Sequence, residues 1–564
     1  MTPDPYHDTA PADPDEARRR LLRALLAQES APPAESAESA ADRTGVLSAA
    51  QYRMWFHQHA RPDSAAYNLA VAARLDGPLS AEALRTAFAG VVERHEILRT
   101  VYRTGPDGLP SQHVLPAAEP VIDIEDVAYA GDAVRRAAEA AALPFDLAAQ
   151  TPLRLRLYRT GPDRHLLLVV LHHIACDDLS WDPLFGDVSA GYRNATCTPA
   201  IPPAPLPLQY GEHAARERPA PEADLAYWRE RLTPAPPPAA PLPDLPRPAT
   251  AGEAGARVAH PLAPGVHERL TALARTASVT PFMALLAGYL TLLHRYTGQS
   301  DLCVATPVVH REAPGVRDLV GNFGNSVVLR VDLSGNPSFR DLLGRVRAEC
   351  LAAYAHQGVP FDRVVEAVRP YRGAGRSPLA DTMFSARTGP LDGLDLPGVS
   401  VTEVAVPGGT ARFDLAVEAV ATGAGTELGA TYRTELYTEA TVARLLEHLG
   451  RLLGGAVDAP DTPVADLPML SEAQWRQIVR DWNATDRPDL LTPDTLHGLF
   501  EARVRSAPDD EALVDGDDRW TYRRLDAAAG RLARRLAGAG AGPGRLVGCI
   551  WSVRRGWWWG CWRP

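Results

Sequence analysis

An unbroken run of apolar residues, Leu167–Leu171, precedes two histidines, His172 and His173. A short apolar run of this kind predicts a buried strand. Asp177 and Asp178 follow four and five positions after His173. An imidazole at the end of a rigid strand, with a carboxylate close behind it, suits a general base. Most of the 16 histidines of the chain are nevertheless expected to have packing or surface roles.

The first half of the chain mixes amphipathic helices with strand-like segments. Helical spacing is found at Ser48–Phe56, Ser80–His95, Ala130–Ala142 and Trp181–Tyr192, and extended segments at Tyr67–Leu75 and Leu153–Tyr158. Ser48, at the start of the first helix, is a good N-cap. This mixture predicts an α/β unit with paired strands and flanking helices.

The second half repeats this kind of organisation. Helices are predicted at Val266–Ser278, Pro281–Tyr296, Phe339–His356 and Glu439–Leu453, and strands at Leu302–Pro307, Val327–Val331, Val399–Val406 and Arg412–Val420. Two units of similar length and element order, joined by a proline-rich connector, predict a pseudo-dimer with a cleft between its halves.

Composition narrows the function classes. The chain has 564 residues, of which 46% are hydrophobic and 23% charged, which is ordinary for a globular protein of several domains. A net charge of -11 argues against nucleic acid as a partner. The six cysteines have no metal-like spacing, which favours reduced thiols in the cytoplasm and no metal site. We expect no membrane span, because the longest apolar runs are short or interrupted.

All 58 basic residues are arginine, since the chain contains no lysine. The sequence therefore excludes mechanisms that need a lysine, such as Schiff-base formation.

Six segments in order resemble the motifs of the condensation domain of nonribosomal peptide synthetases, over roughly residues 46–460. They are Ser48–Phe56, Arg94–Thr100, His172–Asp178, Val320–Asn325, His356–Asp362 and Arg376–Leu379. The third segment matches the family's His-His-x-x-x-Asp-Gly motif, except that Asp178 replaces the glycine. The resemblance implies an α/β fold of α+β two-layer sandwiches. Two lobes similar to chloramphenicol acetyltransferase would form a V-shaped pseudo-dimer with a central cleft.

The resemblance also implies the chemistry. An amine on one carrier-protein thioester would attack the thioester carbonyl on another. Both aminoacyl or peptidyl substrates would enter on phosphopantetheine arms of donor and acceptor peptidyl carrier proteins. The chain itself would bind no cofactor. The sequence Asn325–Leu333 looks more like the subtype that joins two L-configured residues than like the epimerising relatives.

Roles follow for the motif residues. His173 would act as a general base or as a hydrogen-bond acceptor that positions the amine, and His172 would be structural. Asp177 would fix the loop by pairing with an arginine, with Arg99 as first choice and Arg94 as second, because a buried carboxylate needs such a partner.

Asp178 is the main departure from the family. If its φ is positive, aspartate is tolerated there at a cost of roughly 1 kcal/mol. A second carboxylate near His173 would favour the imidazolium. Asn325, Gln357 and Arg376 are matched cleft positions whose alternative role is lobe packing.

The remaining segments follow from composition and from the family. Trp520–Leu525 looks like the opening motif of an adenylation domain, but the ATP-binding segments of that family are not found. We therefore expect a truncated adenylation-like fragment. The predicted boundaries are 1–44, a flexible segment with a short docking helix as an alternative; 45–232, the N-lobe; 233–252, the connector; 253–460, the C-lobe; 461–494, a linker; 495–550, the adenylation-like fragment; and 551–564, an aberrant Trp/Arg/Gly-rich tail.

Alternative interpretations remain for the C-terminal tail and for the function of the condensation-like domain. The tail is interpreted as a frameshifted end, with an aromatic peptide-binding tail as the alternative. The domain could be an ester-forming, cyclising or epimerising relative, or a catalytically inactive recruitment module. A free-standing coenzyme-A acyltransferase is the weakest alternative.

Overall fold

The structure, a computed structural model, describes residues 43–197, 204–237, 239–368, 376–406, 408–422, 425–487, 495–542 and 544–547. The chain divides into two compact units, a large unit that ends at Met469 and a small unit that begins at Leu470. The predicted docking helix within residues 1–44 and the tail 551–564 lie outside the described residues.

The first half of the large unit, residues 43–216, is called the N-lobe. Ser48 caps its first helix in a capping box with Gln51, as the sequence predicts. Its elements are β1 (Arg43–Gly45), α1 (Ala49–Ala60), β2 (Asn68–Asp76), α2 (Ala81–Arg94), β3 (Thr100–Thr104), β4 (Pro110–Val114), β5 (Ile122–Asp126), α3 (Ala130–Ala141), β6 (Leu153–Gly161), β7 (Arg164–His172), α4 (Trp181–Thr196) and α5 (Tyr210–Arg216).

The second half, residues 222–458, is called the C-lobe. Its elements are α6 (Glu222–Leu232), β8 (Gly255–Pro261), α7 (Val266–Thr276), α8 (Pro281–Thr297), β9 (Asp301–Val309), β10 (Gly324–Asp332), α9 (Phe339–Ala355), α10 (Phe361–Val368), β11 (Thr382–Thr388), β12 (Ser400–Val404), β13 (Leu415–Thr422), β14 (Gly425–Arg433) and α11 (Glu439–Asp458).

Each lobe is built on its own sheet and its own hydrophobic core. The N-lobe sheet has the strand order β12-β2-β7-β6-β5, and the C-lobe sheet has the order β10-β9-β11-β13-β14-β8. A smaller sheet, β1-β4-β3, lies in the N-lobe. Helices pack on both large sheets around two separate clusters of buried residues. The predicted α/β class with two lobes is confirmed.

The strand that carries the two histidines lies inside its sheet. β7 pairs antiparallel with β2 on one side and β6 on the other. Its residues from His165 to His172 are all buried, which explains the unbroken apolar run. A strand paired on both edges is a rigid support, and His172 is its last residue.

Two segments of the second half cross over to the N-lobe. β12 pairs with β2, with Thr402 opposite Arg74, and so completes the N-lobe sheet. Val320 and Phe323, from the segment between β9 and β10, are buried in the N-lobe core. The predicted boundary at residue 252 therefore separates the two lobes along the chain but not in space, because later segments belong to the N-lobe.

The connector is attached to the C-lobe. Trp228 and Leu232 of α6 are buried in the C-lobe core. The chain therefore enters the C-lobe before residue 232, where the sequence analysis placed the end of the N-lobe. Within the connector, the carbonyl of Pro241 accepts a hydrogen bond from Tyr437 Oη at 2.8 Å. Asp244 Oδ2 accepts from the backbone N–H of Thr438 at 2.8 Å. These contacts fix the connector, which is not a free spacer.

The small unit has a core of its own. It comprises α12 (Glu472–Arg476), a π-helical turn at Gln477–Asp481, α13 (Leu496–Ser506), a hairpin of β15 (Glu511–Asp515) and β16 (Asp518–Thr521), and α14 (Tyr522–Gly538). Phe500, Trp520, Leu525 and Ala528 form its buried cluster. The hairpin, with Trp520 in its second strand, was not predicted from the sequence.

None of the described helices alone is long and apolar enough to cross a bilayer. Helices α7 and α8 together have sufficient length and apolar composition, but the pair is bent by 107°.

Candidate active site

His173 begins a 3-10 turn, His173–Ala175, directly after β7. Its backbone N–H donates to the carbonyl of Tyr67 at 2.8 Å, which ties the turn to the residue before β2. Its Nδ1 lies 2.6 Å from the carbonyl oxygen of Cys176. Because a carbonyl can only accept, Nδ1 carries the proton and Nε2 keeps its lone pair. The turn therefore selects the tautomer that a hydrogen-bond acceptor or base requires.

The charge state of His173 follows from its surroundings. Burial lowers the pKa of His173 to about 4, and the positive charge of Arg412 lowers it further, against an opposing effect of Asp177. The imidazole is therefore neutral at pH 7. The sequence predicts that carboxylates near His173 favour the imidazolium, and the net effect of this environment is the reverse.

His172 is enclosed within the N-lobe. Its side chain is 0% exposed, and its Nδ1 accepts from the backbone N–H of Ile174 at 3.2 Å. The ring packs edge-on against Phe145, with centroids 5.9 Å apart. Burial lowers the pKa of His172 to about 3. These contacts support the structural role predicted for His172.

Asp177 is held by an arginine that the sequence did not identify. Its Oδ1 accepts from Arg311 Nη2 at 2.8 Å and from Ser180 Oγ at 2.9 Å. Its Oδ2 accepts from the backbone N–H of Phe323 at 3.0 Å. Asp177 is 2% exposed and the Arg311 side chain 9%. This buried ion pair joins the end of the histidine motif to the segment between β9 and β10.

The predicted partners of Asp177, Arg99 and Arg94, are wrong. Arg94 Nε lies 2.9 Å from Asp187 Oδ2, and Arg99 Nη2 lies 3.3 Å from Glu96 Oε1. Both arginines are therefore paired within the N-lobe. The residue that reaches Asp177 comes from the other half of the chain, 134 positions later. Spacing along the sequence gives no signal for such a long-range pair.

Asp178 begins a second 3-10 turn, Asp178–Ser180, and is not among the described non-glycine residues with positive φ. The strain expected from replacing glycine is therefore not present. Asp178 is exposed to solvent, although many protein atoms lie around its carboxylate. Burial raises the pKa of Asp178, whereas Arg387 and Arg412 of the C-lobe lower it. The charges of two C-lobe arginines thus act on Asp178.

Asn325 and Arg376 support loops of the C-lobe, whereas Gln357 takes part through its backbone carbonyl. Asn325 Nδ2 donates to the carbonyls of Gln357 and Val359 at 2.8 and 2.7 Å, and its Oδ1 accepts from the N–H of Phe361 at 3.1 Å. Asn325 thereby fixes the turn before α10. Arg376 pairs with the buried Asp381 just before β11. These contacts match the alternative of lobe packing.

Sequence reasoning missed three residues around the histidine. They are Tyr67, whose ring centroid lies 6.1 Å from that of His173, Arg311, which pairs with Asp177, and Arg412, whose charge acts on His173. Each precedes or follows a strand, but nothing in the local sequence marks it. Within the described residues, no group of three or more His, Cys, Asp or Glu side chains is arranged to hold a metal ion.

Comparison with known proteins gives the family. A model of the condensation domain matches residues 42–479. An isonitrile lipopeptide synthase of Mycobacterium tuberculosis is 38% identical over 533 residues, covering 90% of this chain and 21% of that protein. The phosphinothricin tripeptide synthetase PhsB of Streptomyces viridochromogenes is 35% identical, covering 97% of this chain and 47% of its own. The chain thus spans less than half the length of these relatives.

Solved structures agree with the fold. The X-domain from teicoplanin biosynthesis superposes with a TM-score of 0.67 and 27% identity, covering 78% of this chain and 100% of that domain. The same X-domain has also been solved in a complex with OxyB. The first condensation domain of the calcium-dependent antibiotic synthetase, bound to a substrate analogue, gives a TM-score of 0.66 and 22% identity, covering 77% of this chain and 100% of that domain. The chain belongs to the condensation-domain family of nonribosomal peptide synthetases.

Proposed function

We propose that this chain forms amide bonds between two carrier-bound aminoacyl or peptidyl thioesters in nonribosomal peptide synthesis. The observation that carries the proposal is the state of His173, a neutral imidazole at a strand end whose Nδ1–H is held by the Cys176 carbonyl. Its Nε2 lone pair is thereby available to the N–H of an attacking amine.

The proposed reaction needs no covalent enzyme intermediate. The amine nitrogen attacks the thioester carbon, the carbonyl oxygen becomes an oxyanion, and its collapse expels the pantetheine thiolate. The proton lost by nitrogen passes by way of His173 Nε2 to the thiolate. The products are the amide and a free thiol.

His173 contributes more by orientation than by basicity. With a pKa of about 4, its imidazole is a weak base for an amine in the ground state. Proton transfer becomes favourable only after the carbon–nitrogen bond forms, because the nitrogen is then far more acidic. Holding two reactants in place can lower the activation barrier by about 7–11 kcal/mol. General acid–base catalysis typically accelerates a reaction about 10²–10⁴-fold, which corresponds to only about 3–5 kcal/mol. His173 therefore serves first as a hydrogen-bond acceptor that aligns the amine.

The proposed partners are donor and acceptor peptidyl carrier proteins, each with its substrate on a phosphopantetheine arm. The proposed location is the cytoplasm. Residues 495–550 are proposed to begin an adenylation domain, and the start of α14 at Tyr522, just after Trp520 in β16, places the motif-like segment at a strand-to-helix junction.

An assay with N-acetylcysteamine thioesters of L-amino acids tests the reaction. We expect the full chain to form amides detectable by mass spectrometry, and His173→Gln to reduce the rate at least about 10²-fold. The surface variant Arg340→Gln is the matched control, because the Arg340 side chain forms an exposed ion pair with Asp461. Equal rates for the parent and His173→Gln would contradict the proposal. Preference for hydroxyl acceptors would identify an ester-forming relative, and inversion of the substrate an epimerase.

A second candidate is a recruitment module without activity. The likeness to an X-domain that has been solved in a complex with OxyB favours it. A parent chain that makes no His173-dependent amide but captures a loaded carrier protein would support recruitment.

A further inference from the structure

Arg412 lies in the C-lobe immediately before β13, in a segment whose backbone is firmly held. Its carbonyl accepts a hydrogen bond from Arg433 Nη2 at 3.1 Å. Two positions later, Asp414 is 0% exposed and forms ion pairs with Arg247 and Arg433. A buried carboxylate between two arginines is costly to move. The position of Arg412 is therefore fixed by the C-lobe core.

The side chain of Arg412 extends to the N-lobe beside the catalytic histidine. Its guanidinium carbon lies 5.0 Å from the centre of the Tyr67 ring, in a cation–π contact. The centre of that ring lies 6.1 Å from the centre of the His173 ring, and the Tyr67 carbonyl accepts the backbone N–H of His173. Tyr67 thus holds both groups, and brings the cation close to the proposed reaction centre.

Arg412 differs from the arginines around it. Arg387 and Arg257 share Glu418, at 3.0 and 2.9 Å. No ion pair joins Arg412 to a carboxylate of the described residues. Asp178 is near enough for its charge to interact with Arg412, and the guanidinium itself lies over the Tyr67 ring. Arg412 is also exposed to solvent. A guanidinium that is oriented but not engaged in an ion pair can bind an anion.

We propose that Arg412 is a catalytic residue that donates hydrogen bonds to the oxyanion formed when the acceptor amine adds to the donor thioester. This inference rests on the proposed condensation activity. As the carbon–nitrogen bond forms, the carbonyl π electrons move to oxygen, and the negative charge is stabilised by Arg412. Collapse restores the carbonyl, breaks the carbon–sulfur bond and releases the charge to the thiolate, which takes the proton from His173.

The division of labour places one group on each lobe. His173 on the N-lobe receives the proton of the nitrogen, and Arg412 on the C-lobe receives the charge of the oxygen. Because donors aimed at a developing oxyanion act only in the transition state, the loss of one costs about 10²–10³-fold in rate. The active site is then complete only when the two lobes are held together.

Binding of a tetrahedral anion tests this role directly. The probe is a phosphonate monoester of pantetheine, which imitates the charged intermediate, compared with neutral S-acetylpantetheine, both titrated calorimetrically into the full chain. We expect Arg412→Gln to weaken phosphonate binding about 10²-fold or more, and Arg412→Lys, which keeps the charge, to retain it within about tenfold. S-acetylpantetheine should bind all three proteins equally. Equal phosphonate binding by the parent and Arg412→Gln, or no preference of the parent for the phosphonate, would overturn the proposal.

Two further readouts separate this role from a structural one. Histidine NMR should show a higher pKa for His173 in Arg412→Gln, because a nearby positive charge is removed. Thermal unfolding should change little, because the Arg412 side chain loses only its solvent-exposed contact with the Tyr67 ring, and its hydrogen bond with Arg433 uses the backbone. Amide synthesis by the parent is a separate result. If the parent makes no amide yet binds the phosphonate through Arg412, the proposed function fails and the anion site stands.

Discussion

At the scale of single residues, the site depends on one backbone carbonyl. The Cys176 carbonyl, 2.6 Å from His173 Nδ1, determines which ring nitrogen is protonated. The His172 ring has the opposite tautomer, because its Nδ1 accepts from the backbone N–H of Ile174. Two adjacent histidines therefore have different chemistry, and the turn after β7 produces the difference.

The charge state of His173 can be measured. We expect histidine NMR to show that His173 titrates near its lowered pKa of about 4, well below the usual 6.5. Because the unfolded chain takes up this proton at higher pH than the folded chain, His173 reduces stability as the pH falls from 6.5 towards 4. His173→Gln should therefore lose less stability than the parent over this range. A midpoint near 6.5 for His173 would show that the imidazole is not desolvated.

The ion pair of Asp177 gives a second prediction. Asp177→Ala leaves Arg311 buried without a carboxylate, and should reduce the free energy of unfolding by about 3–5 kcal/mol, as seen in chemical denaturation. Asp177→Ala combined with Arg311→Met should recover part of this loss, since the unpaired charge is removed. Asp461→Ala is the control, because its exposed pair with Arg340 should contribute less than about 1 kcal/mol. Equal stability of Asp177→Ala and the parent would contradict the structural role.

At the scale of elements, β12 links the two halves of the large unit. It is an edge strand of the N-lobe sheet although it comes from the second half of the chain. Val401 and Val404 pack against the N-lobe core, while the outward positions are exposed. The sequence predicts a strand near this position, but no periodicity tells which sheet it joins.

The register of β12 can be tested by crosslinking. Thr402 lies directly opposite Arg74, so the variant Arg74→Cys/Thr402→Cys should form a disulfide on mild oxidation. The control Asp76→Cys/Thr402→Cys is a diagonal pair, about 7–8 Å apart, and should form far less. Mass spectrometry after proteolysis identifies the bond. Equal crosslinking of the two pairs would show that β12 does not keep this register.

At the scale of the whole molecule, the large and small units have separate cores. The core of the small unit is Phe500, Trp520, Leu525 and Ala528, whereas the large unit keeps Val464 and Leu467 in its own C-lobe core. The first residues of the predicted linker 461–494 thus belong to the C-lobe, and the division comes after Met469.

A truncation tests this division. A chain that ends at Met469 should keep the unfolding transition of the large unit and the amide synthesis proposed for it, because no residue of the His173 site is removed. A chain that ends at Pro460 should be less stable, since it loses the buried Val464 and Leu467, worth about 1.5–3 kcal/mol each. Differential scanning calorimetry separates the two. If the chain that ends at Met469 melted at as low a temperature as the chain that ends at Pro460, the two units would not be independent.

The sequence by itself determined the local features of this protein. The apolar run of β7, the capping serine of α1 and the order of motifs were sufficient to predict the strand, the helices and the two lobes. These properties depend on neighbours along the chain, and hydrophobic periodicity and capping report on such neighbours directly.

Only the tertiary structure decided which distant residues meet. Arg311 rather than Arg99 reaches Asp177, β12 joins the sheet of the other lobe, and Arg412 approaches His173 through the Tyr67 ring. Each contact joins residues more than 100 positions apart, and its geometry depends on how the two sheets are placed. A single sequence carries no signal for such contacts, because any arginine of the right charge satisfies the local pattern.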